Sequence, residues 1–285
     1  MGASKTNVRL LNLFSKASIM SHWPQHKANK EEMVKHIARN ETEQDIKKFV
    51  FSELTRCKQH VYAFSHDVDL SNLPDSVLVG HQHLQKEESS SRVAFKFILE
   101  PEYVVHLTGP YEKVQVPYKW PIMIEFFEGV CCLRFVKLVK NMKAEFGDRY
   151  LKLDGMTIDE SDLIAALGIA FDNLGGVQVL DLNKGVKELV EEDIIDGKRV
   201  RVKRKMSTRT ENVDGNYTFK KDLPEEEYKE FKGSPLLNSR FEVISGDHDL
   251  EVFSTNPTEG FINFPRYSDE GDTNEILREI IGRNS

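Results

Sequence analysis

Two basic stretches carry the side chains of this chain best suited to hold an anion. The first runs from Lys27 through Lys30 and Lys35 to Arg39. The second reads Lys198-Arg199-Val200-Arg201-Val202-Lys203-Arg204-Lys205. Cations in such arrays suit phosphate oxygens, which dominate affinity for nucleic acid and fix position on it. Alternation with valine predicts a strand in the second stretch, with Arg199, Arg201 and Lys203 on one face. The same alternation describes a solvated edge strand guarded by charge. In the first stretch, Asn29 followed by Glu32 predicts a capped helix start, whose free amides and positive dipole end favour an anion.

Other chemistry finds less support. His81-Gln82-His83, His66 beside Asp67 and Asp69, and Asp247-His248-Asp249 bring imidazoles and carboxylates together, but without zinc spacing. No metal site and no cofactor are expected. There is no glycine-rich phosphate loop, no nucleophile elbow and no kinase motif set. Glu227-Tyr228-Lys229 and Glu230-Phe231-Lys232 have the Glu-x-Lys form of a Mg²⁺-dependent nuclease, which needs it on a strand. Here Pro224 introduces a helix-like segment. No catalytic residue is assigned, and the reading leans away from an enzyme. Tyr111, Tyr118, Trp120, Phe126 and Phe127 suit either a sheet core or a stacking platform, the core being the commoner use.

The surrounding sequence reads as an α+β pattern: a small helical module, an antiparallel β meander, then a mixed α/β part. Leu10, Leu13, Phe14 and Ala17 recur at helical spacing, and Pro24 ends that helix. Met33, Val34 and Ile37 give the next helix its apolar face. A third is expected from Thr42 to about Cys57. Apolar runs at 93–99, 103–108, 114–116, 122–127 and 130–139 are separated by Gly and Pro, and Glu128-Gly129 predicts a hairpin. Thr157 and Glu160 suggest a second capping box, with Gly175-Gly176 closing that helix. A helix is expected over 181–195, and the basic strand is expected to pair near Tyr217 to Lys221. Strands near 241–244, 250–253 and 261–264 precede a terminal helix at 272–281. The expected division is 1–58, 59–155 and 156–285.

Residues 8–39 resemble a SAP module, a small DNA-binding helix–turn–helix. Leu10, Leu13 and Ile19 stand in the first helix. Asn29-Lys30-Glu31-Glu32-Met33-Val34-Lys35-His36-Ile37 fits the second, while the turn, Trp23-Pro24-Gln25-His26-Lys27-Ala28, lacks the family's usual glycine. The resemblance implies DNA as partner, and Lys27, Lys30, Lys35 and Arg39 would surround a phosphate at the capped start of the second helix.

Charge placement agrees with a basic head. Residues 1–60 carry eleven Lys or Arg against six Asp or Glu, a net of +5; the whole chain is −7, which leaves −12 on residues 61–285. An acidic body argues against coating by the whole surface. Cys57, Cys131 and Cys132, odd in number with two adjacent, make a poor disulfide framework and read as buried thiols of a cytoplasmic or nuclear protein. The polar start Met-Gly-Ala-Ser-Lys is unlike a secretory signal, its formal match to a myristoylation site has nothing nearby to support it, and no membrane association is expected. The expected function is therefore a non-enzymatic DNA-binding or DNA-associated adaptor. The alternatives are a protein-interaction subunit whose basic head docks an acidic partner, and a divergent hydrolase or nuclease.

Overall fold

Side-chain caps set the N-terminal helices. Ser4, Ser15, Asn29 and Thr42 each accept a backbone N–H from three residues ahead, opening α1 (Lys5–Asn12), α2 (Lys16–His22), α3 (Lys30–Asn40) and α4 (Glu43–Ser52). The Ser15 cap, 2.9 Å from the Ser18 N–H, explains why the expected single helix through Leu13 is two helices with a break. This is a computed structural model; it describes residues 4–25, 29–73, 85–109, 112–138, 142–172, 176–205, 207–213, 218–244, 252–268 and 270–284.

The chain continues as β1 (Gln59–His66), β2 (Gln85–Ser89), β3 (Arg92–Leu99), β4 (Glu102–Leu107), β5 (Lys113–Pro117), β6 (Trp120–Phe127) and β7 (Val130–Val136). Then come α5 (Lys143–Phe146), β8 (Tyr150–Met156), α6 (Glu160–Asp172), β9 (Val177–Val179), α7 (Asn183–Glu191), β10 (Ile195–Lys203) and β11 (Thr208–Asn212). The last elements are α8 (Phe219–Asp222), α9 (Glu225–Gly233), β12 (Ser239–Val243), β13 (Val252–Asn256), β14 (Phe261–Phe264) and α10 (Glu270–Gly282). The fold is α+β, as its sequence pattern predicts.

Among the described residues, every pairing within these sheets is antiparallel. The large sheet has the order β11-β10-β12-β13-β14-β1-β7-β6-β3-β2, with β9 also on β1. A small sheet, β5-β4-β8, takes up the middle of the meander, so that β3 hydrogen-bonds directly to β6. Tyr103 and Val105 of β4 are fully buried and share a core with Phe95, Ile124 and Leu133 of the large sheet. The small sheet thus packs over strands that would otherwise expose apolar residues on that side.

Two cores hold the molecule. The first joins α1–α4, the small sheet, α6 and strands β3, β6 and β7; Leu13, Ile19, Val34 and Ile37 of the head are all buried in it. The second lies beneath β10, β12, β13 and β14, where Val200, Val202, Phe241, Phe253 and Ile262 pack on α7–α10. Cys57, Cys131 and Cys132 are buried free thiols.

Three local expectations need correction. The basic strand pairs with Thr208–Asn212, not with residues near 217–221. Phe219 is instead buried in the short α8, its N–H donated to Asp196 Oδ1 at 2.8 Å. The helix expected over 181–195 ends at Glu191, because Ile195 is already the first residue of β10. The cap of α6 is made by Asp159, whose carboxylate takes the N–H groups of Ser161 and Asp162. Thr157 Oγ1 accepts the Glu102 N–H instead, and Glu160 reaches across to β1.

Candidate nucleic-acid interface

The structure brings some of the expected cations together and commits others elsewhere. Lys27 lies outside the described residues. Lys30 donates from Nζ to the Asn12 carbonyl at 3.0 Å, tying α3 to the end of α1, and burial lowers its pKa below the ordinary lysine value. Lys35 is exposed but pairs with Glu31 one turn back, at 2.5 Å. Lys30 and Lys35 stand about 140° apart around the helix, at 3.6 residues per turn. The exposed side of α3 mixes Lys35 and Arg39 with Glu31 and Glu32.

Strand β10 presents the opposite situation. Val200 and Val202 point into the second core, so Arg199, Arg201 and Lys203 share the other, solvent-facing side. The pairing of β10 with β12 shifts register between Gly197 and Arg199, and this bulge sets Arg199 directly opposite Arg240. Both arginines are exposed, and neither makes a side-chain ion pair or hydrogen bond among the described residues. Like charges directly opposite each other destabilise a sheet. Lys203 is also exposed and makes no side-chain ion pair or hydrogen bond among the described residues, whereas Arg201 donates to Thr208 Oγ1 at 3.2 Å. The nearby Lys198 is neutralised by Glu242, at 2.7 Å, and Asp196.

The same side of the sheet continues as a polar row. Asn212, Arg199, Arg240, Ser254, Asn263 and His60 are successive cross-strand neighbours on β11, β10, β12, β13, β14 and β1. At 4.7–4.9 Å between strands the row spans about 24 Å. Asn263 donates to Ser254 Oγ at 3.0 Å, and its Oδ1 is buried without a donor.

The row ends in an aromatic cluster. Phe261 lies 5.3 Å from the His60 ring and 5.0 Å from the Tyr62 ring, centroid to centroid. Glu160 holds both partners: one carboxylate oxygen is 2.9 Å from His60 Nδ1, and the other accepts the Tyr62 hydroxyl at 2.9 Å. Burial and the Glu160 charge push the Tyr62 phenol far above its ordinary pKa. At neutral pH, Tyr62 is a fixed donor rather than a base.

The aromatics around the meander serve the sheet core, the commoner of their two expected uses: Tyr118, Trp120 and Phe126 are buried, Phe127 is half-buried, and Tyr111 lies outside the described residues. Among the described residues no group of three His, Cys, Asp or Glu could hold a metal. His66 Nδ1 accepts the Val68 N–H, and His81, His83 and residues 247–249 lie outside the described set. Both Glu-x-Lys strings fall in α9, where Glu227 and Glu230 pair with Arg209 and Arg204. No described helix is long and apolar enough to cross a membrane.

Arg240, Asn263 and the His60–Glu160–Tyr62 group escaped the sequence reading. Arg240 lies 41 positions beyond Arg199, and only the strand register unites them. Glu125 and Arg134 also went unmarked, although a lone charge inside an apolar strand run is a usable signal, because such a residue needs a buried partner. Comparison with known protein families and with curated proteins finds no match for this chain.

Proposed function

We propose that this protein is a non-enzymatic DNA-binding adaptor whose phosphate contacts are made mainly by the open sheet face. Arg199, Arg201, Lys203 and Arg240 would meet the backbone, while Asn263, His60 and Phe261 offer hydrogen bonds and stacking to exposed bases. Arg39 and Lys35 of the SAP-like head would add peripheral charge. The observation that carries this reading is the Arg199–Arg240 pair, two cations in register with no partner among the described residues, whose repulsion a bound phosphate would relieve. Arg240→Thr tests it with two readouts. The free protein should become more stable by a few tenths of a kcal/mol to about 1 kcal/mol. Its affinity for labelled duplex and single-stranded oligonucleotides should fall. A variant that binds both as well as wild type would remove the basis for the proposal.

A second reading, a protein-interaction subunit, is favoured by α6. Its Ile169 is 73% exposed, and Val179 on the neighbouring β9 is 52% exposed. Exposed apolar residues close together are a feature of docking surfaces.

A further inference from the structure

A cleft of about 570 Å³ lies between the turn joining β2 to β3, the turn joining β6 to β7, and α10. Its floor is charged. Glu125 and Arg134 are each 1% exposed, on neighbouring strands of the sheet. Arg92 donates from Nε to Glu125 Oε1 at 2.8 Å, and its Nη2 is 2.6 Å from the same oxygen. Arg134 Nε sits against the other carboxylate oxygen, and Nη2 donates to Asn274 Oδ1 of α10 at 2.7 Å. Nη1 reaches Gln59 Oε1 at 3.4 Å.

Burying such charges costs more than packing apolar side chains in the same space. Stability alone is therefore a poor reason for a charged floor beneath an open cleft. Arg278 of α10 lines the rim, exposed and without an ion pair or hydrogen bond among the described residues. Phe127, Leu277 and Ile281 supply an apolar wall.

The charge balance selects the ligand. Arg92, Arg134 and Arg278 stand against Glu125 and Glu128 in the lining, a surplus of one positive charge. Glu87, 3.9 Å from Arg92 Nη1, is matched by Lys96 at 2.8 Å. One further negative charge balances the cleft; two would leave an excess facing Glu125 and Glu128.

We propose that this cleft binds a small organic monocarboxylate, its carboxylate held by Arg278 and its hydrocarbon part lying on Phe127, Leu277 and Ile281. The planar guanidinium fork matches a carboxylate bidentately. The cleft volume is within the span usual for small-molecule sites. The site is separate from the open sheet face and does not depend on DNA binding.

The test is calorimetric titration of the full chain with hexanoate, hexanol, adipate and inorganic phosphate, for wild type and Arg278→Ala. Arg278 is exposed, so its removal should leave folding intact, as a thermal melt would verify. Saturable hexanoate binding is expected, weakened about tenfold or more in R278A by loss of a charge-assisted contact. Adipate should bind less tightly than hexanoate, and hexanol should give no saturable heat. The proposal is overturned by the absence of saturable hexanoate binding at millimolar concentration, or by equal affinity in R278A. It is equally overturned if hexanol or phosphate binds as well as hexanoate.

Discussion

Replacing Glu125 by Met should damage the fold more than replacing Arg134 by Met, although the two side chains form one ion pair. The asymmetry follows from their remaining partners. Without Arg134, Glu125 keeps both contacts from Arg92, at 2.8 and 2.6 Å, and only one carboxylate oxygen is orphaned. Without Glu125, the guanidinium of Arg134 stays buried with two neutral acceptors, Asn274 at 2.7 Å and Gln59 at 3.4 Å, and no anion. Breaking a buried pair from one side costs about 3–5 kcal/mol. Arg134→Met belongs near the lower figure and Glu125→Met near the upper. The double variant should cost less than Glu125→Met alone, because no buried charge is then stranded and Met adapts to the vacated volume. Urea denaturation of the four proteins, read by fluorescence and circular dichroism, measures all three differences. A double variant as costly as the sum of the singles, or Arg134→Met costlier than Glu125→Met, would refute this account of the floor.

Further outcomes follow from the cores. Burial pushes the Cys132 thiol up to about 12 and raises Cys57 and Cys131 as well. Unfolded thiols ionise near pH ~8.5, so the unfolded chain gives up protons that the folded chain keeps. Stability from this source is full below about pH 8.5 and falls as pH rises, by about 1.4 kcal/mol per pH unit for each thiol. Urea melts in reducing buffer between about pH 8 and pH 10 should show that fall, shallower in Cys132→Ala; an unchanged slope would contradict it. A Cβ at Gly185 would run into the Ile280 carbonyl oxygen where α7 meets α10, so Gly185→Ala should lose about 1–3 kcal/mol in the same assay.

The elements were legible where local chemistry decides them. Asn29 caps α3 as its sequence suggests, with the Glu32 N–H at 3.0 Å, and the valines of β10 turn inward. Leu10, Leu13, Phe14, Val34 and Ile37 are buried in the head as their spacing predicts, whereas Ala17, the last of the first stripe, is exposed on α2. What escaped depends on contacts distant in sequence. Glu160 looked like a capping residue because it follows Thr157 by three, yet Asp159 makes the cap and frees Glu160 for His60 and Tyr62. Lys30 looked like a free cation because nothing nearby in sequence marks the Asn12 carbonyl as its acceptor. Arg240 is an ordinary strand arginine until a bulge sets it opposite Arg199.

If DNA contacts are concentrated on the sheet face, a salt titration should separate that face from the head. Labelled duplex and single-stranded oligonucleotides would be titrated at several salt concentrations with wild type, an Arg199→Ala/Lys203→Ala/Arg240→Ala variant and a Lys30→Ala/Lys35→Ala/Arg39→Ala variant. Each lost phosphate contact flattens the dependence of log affinity on log salt by about one unit. Wild-type binding should weaken steeply with salt, with a slope shallower by about three in the sheet variant and little changed in the head variant. Binding lost in the head variant and kept in the sheet variant, or no binding by wild type at low salt, would contradict that placement.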